Sequence, residues 1–142
     1  MLSFNTFLFC GAVASAIAAL AHVGCIIFGA SWYRFFGAGE RIARWAEQGN
    51  IKSTLITSCI VLVLISWSVY AFSGAGVISP LPMLRVVLML MTGIYLLRAM
   101  AGVPLLFIDR HRSKAFWIWS SIICGCFGIV HLIGLIQIWG NI

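Results

Sequence analysis

Four uninterrupted apolar stretches, Phe4–Ala30, Ser53–Phe72, Leu81–Ile108 and Ala115–Trp139, occupy nearly all of this 142-residue chain. A hydrocarbon core about 30 Å thick takes about 20 consecutive apolar residues of helix to cross. No water is available inside it, so the backbone must bond to itself, and runs of this length do so as helices. The chain therefore reads as an all-α membrane protein, a four-transmembrane-helix bundle forming one domain over residues 1–142. Only 8% of residues are charged, against about 25% in a soluble domain. The longest segment outside the stretches, Ser31–Lys52, is too short for a second domain.

The first stretch has to be separated from a secretory signal. A signal opens on a basic segment and carries an apolar run of about 7–15 residues. Met1–Thr6 holds no Lys or Arg, and the apolar run continues beyond Ala21. A transmembrane helix is expected.

Basic residues are distributed unevenly between the connections. The first holds Arg34, Arg41, Arg44 and Lys52, the third holds Arg110, Arg112 and Lys114, and the second, Ser73–Pro82, holds none. Lys and Arg accumulate in cytoplasmic loops. Connections one and three are therefore expected in the cytoplasm with both termini outside, as in a bacterial inner-membrane protein. The net charge of +6 follows from this asymmetry. The basic connections offer no aromatic platform for stacking bases, which argues against nucleic acid.

Within the first connection, residues 34–48 predict a short interfacial amphipathic helix. Phe35, Ala38, Ile42, Trp45 and Ala46 recur at helical spacing, opposite Glu40, Arg41, Arg44, Glu47 and Gln48. Glu40 and Arg44 form a favourable i,i+4 pair, and Gly49-Asn50 is a stop signal. Such a helix lies in the membrane surface, where Glu40, Arg41 and Arg44 would serve as a gate or headgroup contact. Gly37 and Gly39 would be its hinges.

Ionisable side chains inside spans are costly and mark functional sites. His22, Arg98 and His131 are of this kind. At 1.5 Å per residue, His22 and Arg98 lie about 14 and 15 Å below one boundary and His131 about 12 Å below the other. All three are thus expected near mid-depth. Gly11, Ser15, Ala18, His22, Cys25 and Gly29 share one face of the first span. Ser120, Cys124, Gly128 and His131 share one of the fourth, with Trp117 above. Small-residue faces pack against other helices, so both histidines are expected to look inward. Arg98, with Tyr95 on its face and no acid in any span, needs water or an anionic group. Trp67 lies near mid-depth in the second span, whereas Arg85 can snorkel to its end.

Several chemistries are unsupported. All three acids lie outside the spans, which removes intramembrane carboxylates and carboxylate-bridged metals. No Gly-rich phosphate loop, H-E-x-x-H or G-x-S-x-G occurs. The five cysteines are odd in number, lie within spans and form no C-x-x-C, as expected of small apolar filler.

Four readings follow. In the first, a mid-membrane pocket lined by His22, Trp67, Tyr95, Arg98 and His131 binds or translocates an anionic or amphipathic small molecule or lipid. The second is a b-type haem protein with His22 and His131 as axial ligands and Arg98 on a propionate. The third is a lipid-acting enzyme with a histidine acid/base and Arg98 stabilising an anion. The fourth is an assembly or accessory subunit, a homo-oligomer or part of a larger membrane complex, packed through its small-residue faces.

Overall fold

In a computed structural model the described residues, 3–109 and 112–142, form six α-helices and a terminal 3-10 turn, with no strand among them. Arg110 and His111, two members of the basic third connection, lie outside the described residues. The helices are α1 (Thr6–Phe28), α2 (Ala30–Phe35), α3 (Glu40–Glu47), α4 (Ile51–Gly74), α5 (Leu84–Ile108) and α6 (Lys114–Ile138), followed by the turn Trp139–Asn141. Four of them, α1, α4, α5 and α6, are long and apolar enough to cross a membrane. This is a polytopic integral membrane protein of the expected all-α class.

Each boundary has a local cause. Asn5 caps α1 by accepting the Leu8 amide at 2.9 Å, Asn50 caps α4 through Lys52 N at 3.0 Å, and Ser113 caps α6 through Phe116 N at 3.1 Å. Each side-chain oxygen satisfies an amide that the first helical turn leaves free. Gly29, at φ +69°, ends α1 at Phe28, two residues before the expected limit, and lets the chain turn directly into α2. α5 starts at Leu84 rather than Leu81 because Pro80 and Pro82 precede Met83, whose φ is +56°. Pro104 sits inside α5 without ending it.

The interfacial helix differs from expectation. It is two helices, α2 and α3, separated at Gly37 and Gly39, whose φ values of +69° and +101° are closed to most side chains. The face assigned to the acyl boundary is largely taken up by protein: Ala43 is fully buried with Cys25 and Tyr33, and Ile42 and Ala46 pack against them. Phe35 alone of the apolar set stands well exposed, at 82%.

Around the bundle the order is α1, α4, α5, α6, with α1 closing the ring on α6. The α1–α4 and α5–α6 hairpins are the most extensive pairs. Glycine against a large neighbour sets the register at each seam. Gly74 and Gly134 receive Leu8, Gly128 receives Leu96, and Gly11 receives the His131 ring. Gly102 faces Ser121 so closely that a Cβ there would overlap its hydroxyl. Without water, helices associate through such close packing and through interhelical hydrogen bonds. Ser68 Oγ donates to the Ala12 carbonyl at 2.8 Å, joining α4 to α1, and Asn5 Nδ2 donates to Gln137 Oε1 at 2.8 Å, joining α1 to α6.

Asn5, the Trp139–Asn141 turn and the α4–α5 turn lie at one end of the bundle, called here the terminal end. The α2–α3 segment, the end of α5 and the start of α6 lie at the other, the basic end.

Candidate functional site

Tyr95, near the middle of α5, is where the four spans meet. Its hydroxyl lies 3.0 Å from Ser15 Oγ on α1. Its ring contacts Trp67 of α4 at a centroid distance of 4.9 Å, and Phe127 and His131 of α6 at 5.4 Å each. Tyr95, Trp67 and His131, three of the expected pocket residues, are thus brought together. They meet as packed rings, with Ala19 and Leu64 filling in around Tyr95.

His131 is fully enclosed. Its Nδ1–H donates to the Phe127 carbonyl at 2.7 Å, which leaves Nε2 as the acceptor nitrogen, and Nε2 has no partner among the described residues. His22 makes the same local bond, to the Ala18 carbonyl at 2.7 Å, and is only partly buried. The two do not share a level. His131 lies against Gly11, and eleven residues of α1 separate Gly11 from His22, about 16 Å of rise.

That separation bears on haem. Two axial imidazoles must approach one iron from opposite sides at the same height, and here the His131 ring rests on the α1 backbone at Gly11. The pair does not fit a bis-histidine haem, and no chemistry is derived through one. The depths read from sequence converged because each was measured from a loop boundary; the α1–α6 register places the residues differently. Asn5 meets Gln137, Leu8 meets Gly134 and Gly11 meets His131. Continued along both helices, this register sets His22 level with Ser120.

Ser120 is the residue that Arg98 bonds. Arg98 Nη2 donates to Ser120 Oγ at 2.8 Å, and the guanidinium lies 4.8 Å from the centre of the Trp117 indole. Arg98 Nη1, Trp117 Nε1 and Ser121 Oγ are all buried and lack a hydrogen-bond partner within the described chain. Trp117 itself is 5% exposed. Indole N–H and guanidinium nitrogens only donate, and an Arg stays charged under all ordinary conditions. This part of the α5–α6 seam is therefore rich in unanswered donors around a fixed positive charge. Trp117, Ser120 and Ser121 were not singled out as site residues from sequence. The available signal was their position one to two turns into α6, facing Arg98 across an antiparallel seam.

A second guanidinium completes the region. Arg112 lies 5.5 Å from the same Trp117 ring and 5.0 Å from that of Phe116. The α2–α3 segment leans on these residues: a Cβ at Gly37 would strike the Phe116 side chain, and Gly39 lies beside the Arg112 stem.

The residues expected to gate the site lie on α3. Glu40 bonds Arg34 of α2 at 2.8 Å, and Glu47 bonds the same guanidinium at 2.6 Å. The expected Glu40–Arg44 pair is longer, at 3.5 Å. Hydrogen bonds from Arg34 hold both carboxyls below the usual carboxylate range, and the two carboxylates raise the Arg34 guanidinium in return. All three side chains are roughly half exposed, so each bond is weak individually. Glu40, Arg41, Arg44, Trp45 and Gln48 line a shallow concavity on the outer side of α3. At the terminal end Arg85 donates to the carbonyls of Trp139 and Ile142 and stacks on Trp139, satisfying backbone acceptors at the close of α6.

Among the described residues no group of three or more His, Cys, Asp or Glu is placed to hold a metal ion. Comparison of the chain with protein-family models, curated proteins and solved structures finds no match.

Proposed function

We propose that this membrane protein binds the anionic head of an amphipathic molecule or lipid at Arg98, in the basic half of the bundle. One observation carries the reading: Arg98 Nη1 and Trp117 Nε1 are buried donors and Ser121 Oγ a buried hydroxyl, all without a hydrogen-bond partner among the described residues. A buried donor left unanswered costs about 1–3 kcal/mol, and more beside a charge. A negatively charged head with several acceptor oxygens answers all of them at once and also the charge of Arg98. Ser120 orients the guanidinium, and His22 stands at the same level on α1 by register. His131 and Tyr95 act as the packed wall beyond the site. The basic connections favour the cytoplasmic side of a bacterial inner membrane for this half.

The test is the lipid and metabolite content of the purified protein. Mass spectrometry of wild type extracted in mild detergent should find an anionic amphiphile enriched over the membrane it came from. Arg98→Leu, which eases insertion by removing a buried charge, should lose it, while Arg98→Lys should retain a part. Equal retention by Arg98→Leu, or no anionic amphiphile in wild type, overturns the proposal and leaves the accessory-subunit reading in its place.

A further inference from the structure

We infer that the amphiphile carries a phosphomonoester head, a phosphatidate-like lipid, held between Arg98 and Arg112 around the Trp117 indole. This rests on the proposed role of Arg98 and goes beyond it by assigning the second cation and the charge of the ligand.

Two guanidiniums share one indole ring, at 4.8 and 5.5 Å from its centre. Cation–π attraction favours each contact, but the two positive charges repel one another. Glu40 and Glu47, the acids of α3, are committed to Arg34. The same place is the N-terminal end of α6, a 25-residue helix whose aligned peptide dipoles add partial positive charge. The buried, unpartnered Trp117 Nε1 lies in the first turn of that helix. Two fixed cations, a helix N-terminus and a set of donor-only groups match a ligand of more than one negative charge and several acceptor oxygens.

A phosphomonoester carries about −1.5 to −2 at neutral pH and three acceptor oxygens. A carboxylate, or the phosphodiester of an ordinary anionic phospholipid, carries about one charge and leaves one guanidinium unanswered. A choline or ethanolamine head would bring a further cation. Depth favours a lipid over free phosphate. Trp117 lies three residues into α6, about 5 Å along its axis, close to the start of the apolar span. Val103, Phe107 and Ile108 of α5 stand exposed toward the same end and offer a track for those chains. The α2–α3 segment, resting on Phe116 and Arg112 through Gly37 and Gly39, covers the head.

The protein is reconstituted in phosphatidylcholine nanodiscs, and binding of phosphatidate, phosphatidylglycerol and a long-chain fatty acid is measured by native mass spectrometry. Phosphatidate should bind about tenfold more tightly than phosphatidylglycerol. Arg112→Gln should weaken phosphatidate more than phosphatidylglycerol and so bring the two to similar levels. Arg112→Lys should recover part of the preference, because it restores charge without the planar fork. Equal binding of the two phospholipids by wild type, or an unchanged preference in Arg112→Gln, overturns this inference while leaving the Arg98 site standing. Loss of discrimination together with full binding by Arg98→Leu overturns both. Displacement by inorganic phosphate as effective as by phosphatidate itself assigns the site to the free ion and refutes the lipid.

Discussion

Gly11 is the position where a single methyl group should do most to separate α1 from α6. An alanine Cβ there would lie 2.6 Å from His131 Cε1 and 2.7 Å from Nε2. The ring cannot move away cheaply. Its Nδ1 is tied to the Phe127 carbonyl at 2.7 Å, and the Tyr95 ring, 5.4 Å from it, is itself held by Ser15. Relief therefore has to come from the helices, which must part locally by roughly 1 Å to restore normal contact. Overpacking of this kind costs about 1–3 kcal/mol. Against it stands the helix propensity gained on replacing glycine, about 0.5–1 kcal/mol. The net expectation for Gly11→Ala is a loss of about 1–2 kcal/mol.

Two comparisons make the reasoning refutable. Gly93 also sits inside a span, with nothing within 4 Å of its would-be Cβ, so Gly93→Ala should be neutral or slightly stabilising. Gly11→Ala combined with His131→Ala should be less damaging than the two single losses added together, because the second change removes the atoms the first one strikes. Reversible unfolding in mixed micelles of rising denaturing-detergent fraction reads all four variants. Gly11→Ala as stable as Gly93→Ala, or strict additivity in the double variant, would show that His131 does not rest on Gly11.

Three further outcomes are expected. Tyr95→Phe should cost about 0.6 kcal/mol, the usual worth of an interhelical hydrogen bond in a membrane, and a cost above about 2 kcal/mol would mean that the hydroxyl does more than bond Ser15. The carboxyls of Glu40 and Glu47 are held low by Arg34, so the tie between α2 and α3 is fully present above the ordinary carboxylate range. It is lost as pH falls through their lowered values, beneath the ordinary glutamate range. Proteolysis of the α2–α3 segment should rise only there, and Arg34→Gln should make it fast at neutral pH; a transition near pH 6 would implicate another group. In a variant without the five native cysteines, a cysteine at Asn141 should react with an impermeant reagent from outside intact cells and one at Gln48 should not, and the reverse pattern would invert the proposed orientation.

The apolar runs made the four spans legible because membrane insertion depends on the composition of each stretch alone. Their ends were legible to within a few residues, and the departures have local causes in Gly29 and in the Pro80–Met83 turn. The break between α2 and α3 was half legible. Gly37 and Gly39 were expected as hinges of a single helix, whereas their positive φ values separate α2 from α3. Burial of Ala43 was hidden. An apolar face reads the same whether lipid or Tyr33 and Cys25 will cover it.

Which interior polar residues meet was the least legible feature, because register belongs to pairs of helices. His22 and His131 each sit on a small-residue face, and each looked to be near mid-depth when measured from its own loop. The pairing of Gly11 with His131 instead places His131 with Tyr95, and the same register carries His22 to the level of Ser120 and Arg98. The polar residues divide accordingly into two groups with different chemistry. Around Tyr95 the phenol bonds Ser15 and the histidine Nδ1 bonds Phe127, while Thr92 Oγ1 and the acceptor His131 Nε2 have no partner among the described residues. Around Arg98 the donors outnumber the acceptors the described chain provides, and the surplus lies beside a second guanidinium and a helix N-terminus. A fold that needed Arg98 only for packing would be better served by leucine, which brings no charge to desolvate. That imbalance is the basis of the site proposed in the basic half of this bundle.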